Sequence, residues 1–135
     1  MKLSTQQIGK LGELLVQFKL LQHCVESAHM TTDSGIDLVA YSSKDKAAKT
    51  IQVKANLQPK PAGGKGSLGL DWWVSKNSPA ELFAFVDISE AKVWLFTEAQ
   101  LKEFAQQQAT DRYHFYMYPD PNVTQRREGC AFSGF

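Results

Sequence analysis

Apolar residues recur along this chain with two different periods, and the switches between them mark out its elements. Over residues 5–23, TQQIGKLGELLVQFKLLQH, the positions Ile8, Leu11, Leu15 and Phe18 return at helical spacing and predict a buried stripe. Ser4 or Thr5 supplies the N-cap. A second stripe of Gly9, Glu13, Val16 and Leu20 runs beside it, so the helix is expected to lie against a sheet. Gly9 and Gly12 each weaken a helix by about 1 kcal/mol relative to Ala, which predicts a close approach of a neighbouring backbone or ligand there.

Period two takes over after the helix. Residues 24–30 read as a short strand, and Thr31 to Gly35 as a turn. In Gly35-Ile36-Asp37-Leu38-Val39-Ala40-Tyr41, the residues Ile36, Leu38 and Ala40 alternate with Asp37 and Val39, which puts Asp37 and Val39 on one face. In Thr50-Ile51-Gln52-Val53-Lys54-Ala55 the same rule puts Gln52 and Lys54 together and Ile51, Val53 and Ala55 on the other side. Lys44-Asp45-Lys46 marks the hairpin between these two runs.

Residues 56–71, rich in glycine, proline and lysine, read as a mobile loop, and Trp72-Trp73-Val74-Ser75 as a short strand or turn. Residues 82–88 are almost continuously apolar, as a strand covered on both faces would be; they form a hairpin with 92–96. A second helix is expected over 98–108, capped by Thr97 with Leu101, Phe104 and Ala105 inward, before a last strand over 113–118 that ends at Pro119-Asp120-Pro121. The order α, β, β, β, β, β, α, β implies an α/β fold, a mixed sheet with helices against it.

The length of 135 residues fits one domain, spanning 1–135, with one core. No signal-type segment is evident, and no apolar run approaches the roughly 18 residues of a membrane span, so a soluble cytoplasmic protein without membrane contact is expected. Cys24 and Cys130 show neither CxxC nor Cys-His spacing, which argues against structural zinc and predicts reduced thiols. The net charge is only +1, but residues 44–76 hold seven lysines against two aspartates, a surplus of five, and Arg126-Arg127 adds to it. Such a patch suits a phosphate backbone and equally a merely solvated surface.

The candidate chemistry lies in the paired runs. If their strands pair, Asp37, Gln52 and Lys54 converge. Hard Mg²⁺ takes carboxylate and carbonyl oxygens and keeps much of its water, so Asp37, the Gln52 amide and the Val53 carbonyl are the candidate ligands of one ion, with Mn²⁺ a possible substitute. Lys54 would orient or help deprotonate a water and offset the charge growing on a phosphate. A solvated Asp–Lys ion pair is the plain alternative, opposed by the apolar character of both runs and the sharp entry at Gly35. Trp72 and Trp73 invite base stacking, although core packing or a dimer contact is the simpler reading. His23, His29 and His114 lie near no motif and read as surface or helix-end residues.

Glu13 on the first helix, Asp37, a spacer and then Gln52-Val53-Lys54 resemble the PD-(D/E)xK nuclease superfamily. Ser34 to Val39 with Ile51 to Ala55 is similar to its Mrr-like branch, where Gln often replaces the second acid. Archaeal Holliday-junction resolvases share the helix and strand order but usually have Glu there. The resemblance covers about residues 5–97. It implies a restriction-endonuclease-like mixed central sheet flanked by helices, Mg²⁺-dependent endonuclease activity on DNA, and a site of Glu13, Asp37, Gln52 and Lys54 in which Glu13 helps hold metal-bound water. The chain leaves no room for a recognition domain, so a homodimer or a partner recognition subunit is expected. The rival reading is a nuclease fold without catalysis, binding DNA or protein as an immunity-type or accessory module; Gln52 and the neutral net charge favour it.

Overall fold

A computed structural model describes residues 2–32, 34–61 and 67–120. Asp33 of the expected turn, Gly63, Gly64, Lys65 and Gly66 of the expected loop, and Pro121, Arg126, Arg127 and Cys130 lie outside them. The chain runs through α1 (Thr5–Gln22), β1 (Glu26–His29), β2 (Leu38–Ser42), β3 (Ala47–Asn56), β4 (Lys60–Pro61), β5 (Leu68–Ser75), β6 (Leu82–Asp87), β7 (Lys92–Thr97), α2 (Glu98–Phe104), β8 (Gln107–Gln108) and β9 (Arg112–Met117). Five strands form a mixed sheet in the order β1-β2-β3-β6-β7, parallel only between β3 and β6. The other four form a separate antiparallel sheet, β4-β5-β9-β8. The fold is thus the expected α/β arrangement, with a second sheet that the sequence reading did not contain.

Ser4 caps α1 in a reciprocal box: its Oγ accepts from the Gln7 N–H at 3.1 Å, and the Gln7 Oε1 accepts from the Ser4 N–H at 2.8 Å. The stripe that meets the sheet is not the expected one. Gly12 and Val16 are buried, whereas Leu11 and Phe18 are 38% and 58% exposed. The reason is the close contact at Gly12, where an added Cβ would stand 2.6 Å from the Ala55 Cβ; the helix presents its smallest residue to β3 and turns the larger ones out. Gly9 has open space around it and no such contact.

Alternation along β6 builds two cores. Ala84 and Val86 pack toward α1 with Val16, Leu38, Ile51 and Val93. Phe83 and Phe85 face the second sheet with Trp72, Trp94, Phe96 and Phe115. Trp72 lies parallel to Phe85, ring centroids 5.0 Å apart, and is a core residue.

The region read as a mobile loop over 56–71 contains β4 and the start of β5, whose alternating exposed and buried residues from Leu68 to Ser75 are the mark of a strand with one covered face. α2 stops at Phe104, short of the expected end, because Gln106 is recruited to the second sheet: its side chain donates to the Tyr116 carbonyl at 2.7 Å and accepts from the Tyr116 N–H at 3.3 Å. Among the described residues no helix is long and apolar enough to cross a membrane.

Candidate active site

β3 outruns its neighbour. Residues 47–51 pair with β2, while 51–56 pair with β6, so beyond Ile51 one side of β3 has lost its strand partner. Asp37 fills the first gap. Its N–H donates to the Ile51 carbonyl at 2.9 Å, and its Oδ2 accepts from the Val53 N–H at 2.7 Å, so the residue clamps the peptide groups on either side of Gln52. Leu38 is itself in register with Ile51, so Asp37 and Leu38 stand together against one residue, the arrangement of a β-bulge. A bulge breaks alternation and re-aims the side chain, so Asp37 does not share a face with Val39 as expected; its carboxylate turns into the edge of β3.

Gln52 and Lys54 do share a face. They pair in register with Phe83 and Phe85, and so point to the side of the second sheet. The Gln52 Oε1 accepts from the Ser78 hydroxyl at 2.9 Å. Lys54 is partly buried and, among the described residues, makes no ion pair. Val53 contributes its N–H to Asp37, and because a strand residue directs both backbone groups to one neighbour, its carbonyl lies on the same open edge. Asp37 thus meets β3 at Val53, between Gln52 and Lys54, whose side chains turn to the face of the second sheet.

Glu13 is not joined to them by any contact among the described residues. It lies on α1, against the opposite face of the sheet, with its Oε1 3.0 Å from the His29 Nδ1 and 3.9 Å from the Lys10 Nζ, which itself stands 3.3 Å from that Nδ1. The link is indirect: His29 is in register with Leu38, and the next N–H, that of Met30, donates to the Asp37 carbonyl at 3.2 Å. Glu13 and Asp37 thus stand at the same end of β2, on different layers.

Two residues escaped the sequence reading. His29 holds Glu13, although its sequence neighbours carry no motif. Ser78 holds Gln52 from 26 residues away, which no local pattern could announce. The next residue, Pro79, packs on Gly35; a Cβ on Gly35 would sit 3.0 Å from the Pro79 Cδ, and the positive φ of 86° there already favours glycine. His114 is likewise more than a surface residue: its ring stacks on Trp73 at 4.0 Å and lies 3.2 Å from the Asp71 Oδ2. Trp73 is covered on one side by that ring and approached by Arg112 at 4.9 Å, so it is not an open base-stacking platform. His23 caps the end of α1, as expected for a helix-end residue.

The donor set suits a hard cation. The oxygens of Asp37, Gln52 and Val53 are of the type Mg²⁺ takes, and an ion that keeps most of its water needs few of them. Among the described residues no group of three or more His, Cys, Asp or Glu is placed to share a metal ion.

Several solved structures resemble this one, two of them as follows. One is a bacterial homing endonuclease, I-Ssp6803I, with a TM-score of 0.61 and 12% identity over 91% of this chain and 85% of that one. The other is Hjc, a Holliday junction resolvase from Archaeoglobus fulgidus, with a TM-score of 0.55 and 14% identity over 79% of this chain and 82% of that one. The chain has a nuclease-like fold. At these identities the likeness is one of architecture, of the restriction-endonuclease-like kind. No protein-family model matches the chain, and no curated protein matches it.

Proposed function

We propose that this protein is a metal-dependent DNA endonuclease hydrolysing phosphodiester bonds at the open edge of β3. The observation that carries the reading is the Asp37 carboxylate, fixed by the Val53 N–H where β3 loses its strand partner and next in sequence to Lys54, which makes no ion pair among the described residues. A fold shared with a homing endonuclease and a junction resolvase supports it.

In this reading Asp37, the Gln52 amide oxygen and the Val53 carbonyl hold Mg²⁺, with Mn²⁺ as a substitute. The bound ion supplies Lewis acidity at the scissile phosphate and lowers the pKa of a coordinated water. Lys54 places its ammonium beside the reacting phosphate, orients the attacking water and offsets the charge that grows in the transition state. Glu13, beside His29 on the other layer, would act on that water only indirectly. The surplus of lysines over residues 44–76 attracts the DNA backbone.

The test is cleavage of supercoiled, linear, single-stranded and branched DNA with Mg²⁺ or Mn²⁺, beside Asp37→Ala and an EDTA control. Metal-dependent cutting that disappears in the variant is the expected result. A second reading, a non-catalytic module on the same fold, is favoured by the Gln52 oxygen already engaged by Ser78. No cutting of any DNA together with no Mn²⁺ binding would establish that reading instead.

A further inference from the structure

The large residues that α1 turns away from the sheet form a stripe of their own. Leu11, Leu14, Phe18 and Leu21 are 38%, 49%, 58% and 61% exposed, and none belongs to either core. Their steps of three, four and three residues are those of a coiled-coil seam, which needs a second helix to close it. We propose that the protein pairs with a second copy of itself through α1, the two helices antiparallel about a two-fold axis at the level of Val16. That axis sets Leu11 against Leu21 of the partner subunit and Leu14 against Phe18 of the partner subunit, a self-complementary contact that closes at two copies.

Area and charge both favour a second copy as the occupant. Burying the four side chains would remove roughly 400 Å² of apolar surface per copy, the size of the largest and often functional patch on a monomer. With the bordering Gln7, Lys10, Gln17 and Gln22 the contact reaches the order of 800 Å² per partner that a specific dimer needs. Lys10 falls at the level of Gln22 of the partner subunit, so no like charges meet. The bordering residues are otherwise neutral, so nothing at the rim selects a partner of opposite charge. α1 covers the sheet face opposite Gln52 and Lys54, so pairing leaves the candidate active site open. The proposal goes beyond the nuclease reading and does not depend on it.

Analytical ultracentrifugation of the full chain, without DNA or metal, tests it. The wild type is expected to be a dimer at micromolar concentration. Leu14→Asp and Phe18→Lys, each alone, are expected to weaken dimerisation at least about thirty-fold, as loss of an interface hot spot does. Mixing the two variants should restore a dimer, because only antiparallel pairing brings the new carboxylate opposite the new ammonium. Leu11→Lys with Leu21→Asp provides a second such pair should either central charge disturb the helix, which circular dichroism would report. A monomeric wild type overturns the proposal and leaves the stripe to a different protein. A single variant that stays dimeric, or a mixture that stays monomeric, overturns the proposed pairing. None of these outcomes bears on whether Asp37 supports cleavage, so the two readings fail separately.

Discussion

Asp37→Asn and Asp37→Ala separate the task that this carboxylate performs in the fold from the one proposed for it in the site. The first is structural, since its Oδ2 is the acceptor for the Val53 N–H at 2.7 Å in a partly buried setting. Alanine strands that N–H, and an unsatisfied buried donor costs about 1–3 kcal/mol; partial access to water places this site near the lower half of that range. Asparagine keeps an acceptor and loses only the charge assistance, about 1 kcal/mol at most. Against a typical stability of about 5–15 kcal/mol both variants remain folded. The second task is electrostatic. A unit charge about 4 Å from another is worth about 4 kcal/mol at an effective dielectric constant of 20, and even half of that, lost with the carboxylate, weakens cation binding about thirty-fold. Asn and Ala are therefore expected to be unequal in urea denaturation but equally poor in Mn²⁺ binding by calorimetry and equally dead in cleavage. If Asp37→Asn bound Mn²⁺ as tightly as the wild type, Asp37 would be a latch for the end of β2 and not a metal ligand.

The two helical glycines should respond to alanine with opposite signs. Gly9→Ala meets nothing and raises stability by up to about 1 kcal/mol, whereas Gly12→Ala drives a Cβ into Ala55 and costs about 1–3 kcal/mol of overpacking against that same gain; thermal melts of the two variants check it. Lys54→Gln is expected to leave Mn²⁺ affinity unchanged and to slow cleavage by about 10²–10³, the cost of removing one group that stabilises transition-state charge, as single-turnover rates would report. Gln52→Glu restores a second negative charge and should tighten Mn²⁺ binding on the order of tenfold in the same calorimetric assay. Ser78→Ala, which removes the hydroxyl donor at 2.9 Å, should lower Mn²⁺ affinity in the wild type far more than in a Gln52→Glu background, because a carboxylate has no wrong end.

The sheet was legible where alternation and burial coincide. β6 read as a central strand because both its faces are covered, and β3 read correctly because Ile51, Val53 and Ala55 pack toward α1 while Gln52 and Lys54 do not. Asp37 was found by its chemistry but misplaced by periodicity, since a two-against-one step at Leu38 cannot be seen in a rule that counts by twos. α1 misled for a related reason. Helical spacing identifies apolar stripes but not which of them faces the sheet; the choice fell to Gly12 and its 2.6 Å limit against Ala55. The second sheet was hidden because glycines and prolines before Leu68 resemble a loop, and because Gln106 pairs with β9 through its side chain, which no backbone pattern predicts. Ser78 and His29 are tertiary partners and had no signature in the sequence.

Gln52 makes physical sense only together with the segment that follows β5. A carboxylate offers the same oxygen from either end, but an amide presents an acceptor at one end and a donor that repels cations at the other. Something must decide which end faces the edge of β3, and the Ser78 hydroxyl, donating to the Gln52 Oε1, is placed to do so. The adjacent Pro79 packs on Gly35, two residues before Asp37, in space that a side chain at Gly35 would occupy. One short loop therefore touches both arms of the site, Gln52 by a hydrogen bond and Asp37 through the turn that leads into it. With Gln in place of an acid the pair carries one negative charge instead of two, on the strand that also bears Lys54, which no carboxylate of the described residues engages. Such a site repels a polyanion less and holds its cation less tightly, so its binding of metal and of phosphate should rise together. On the proposed reading the free chain is therefore expected to bind Mn²⁺ weakly, and DNA to strengthen that binding.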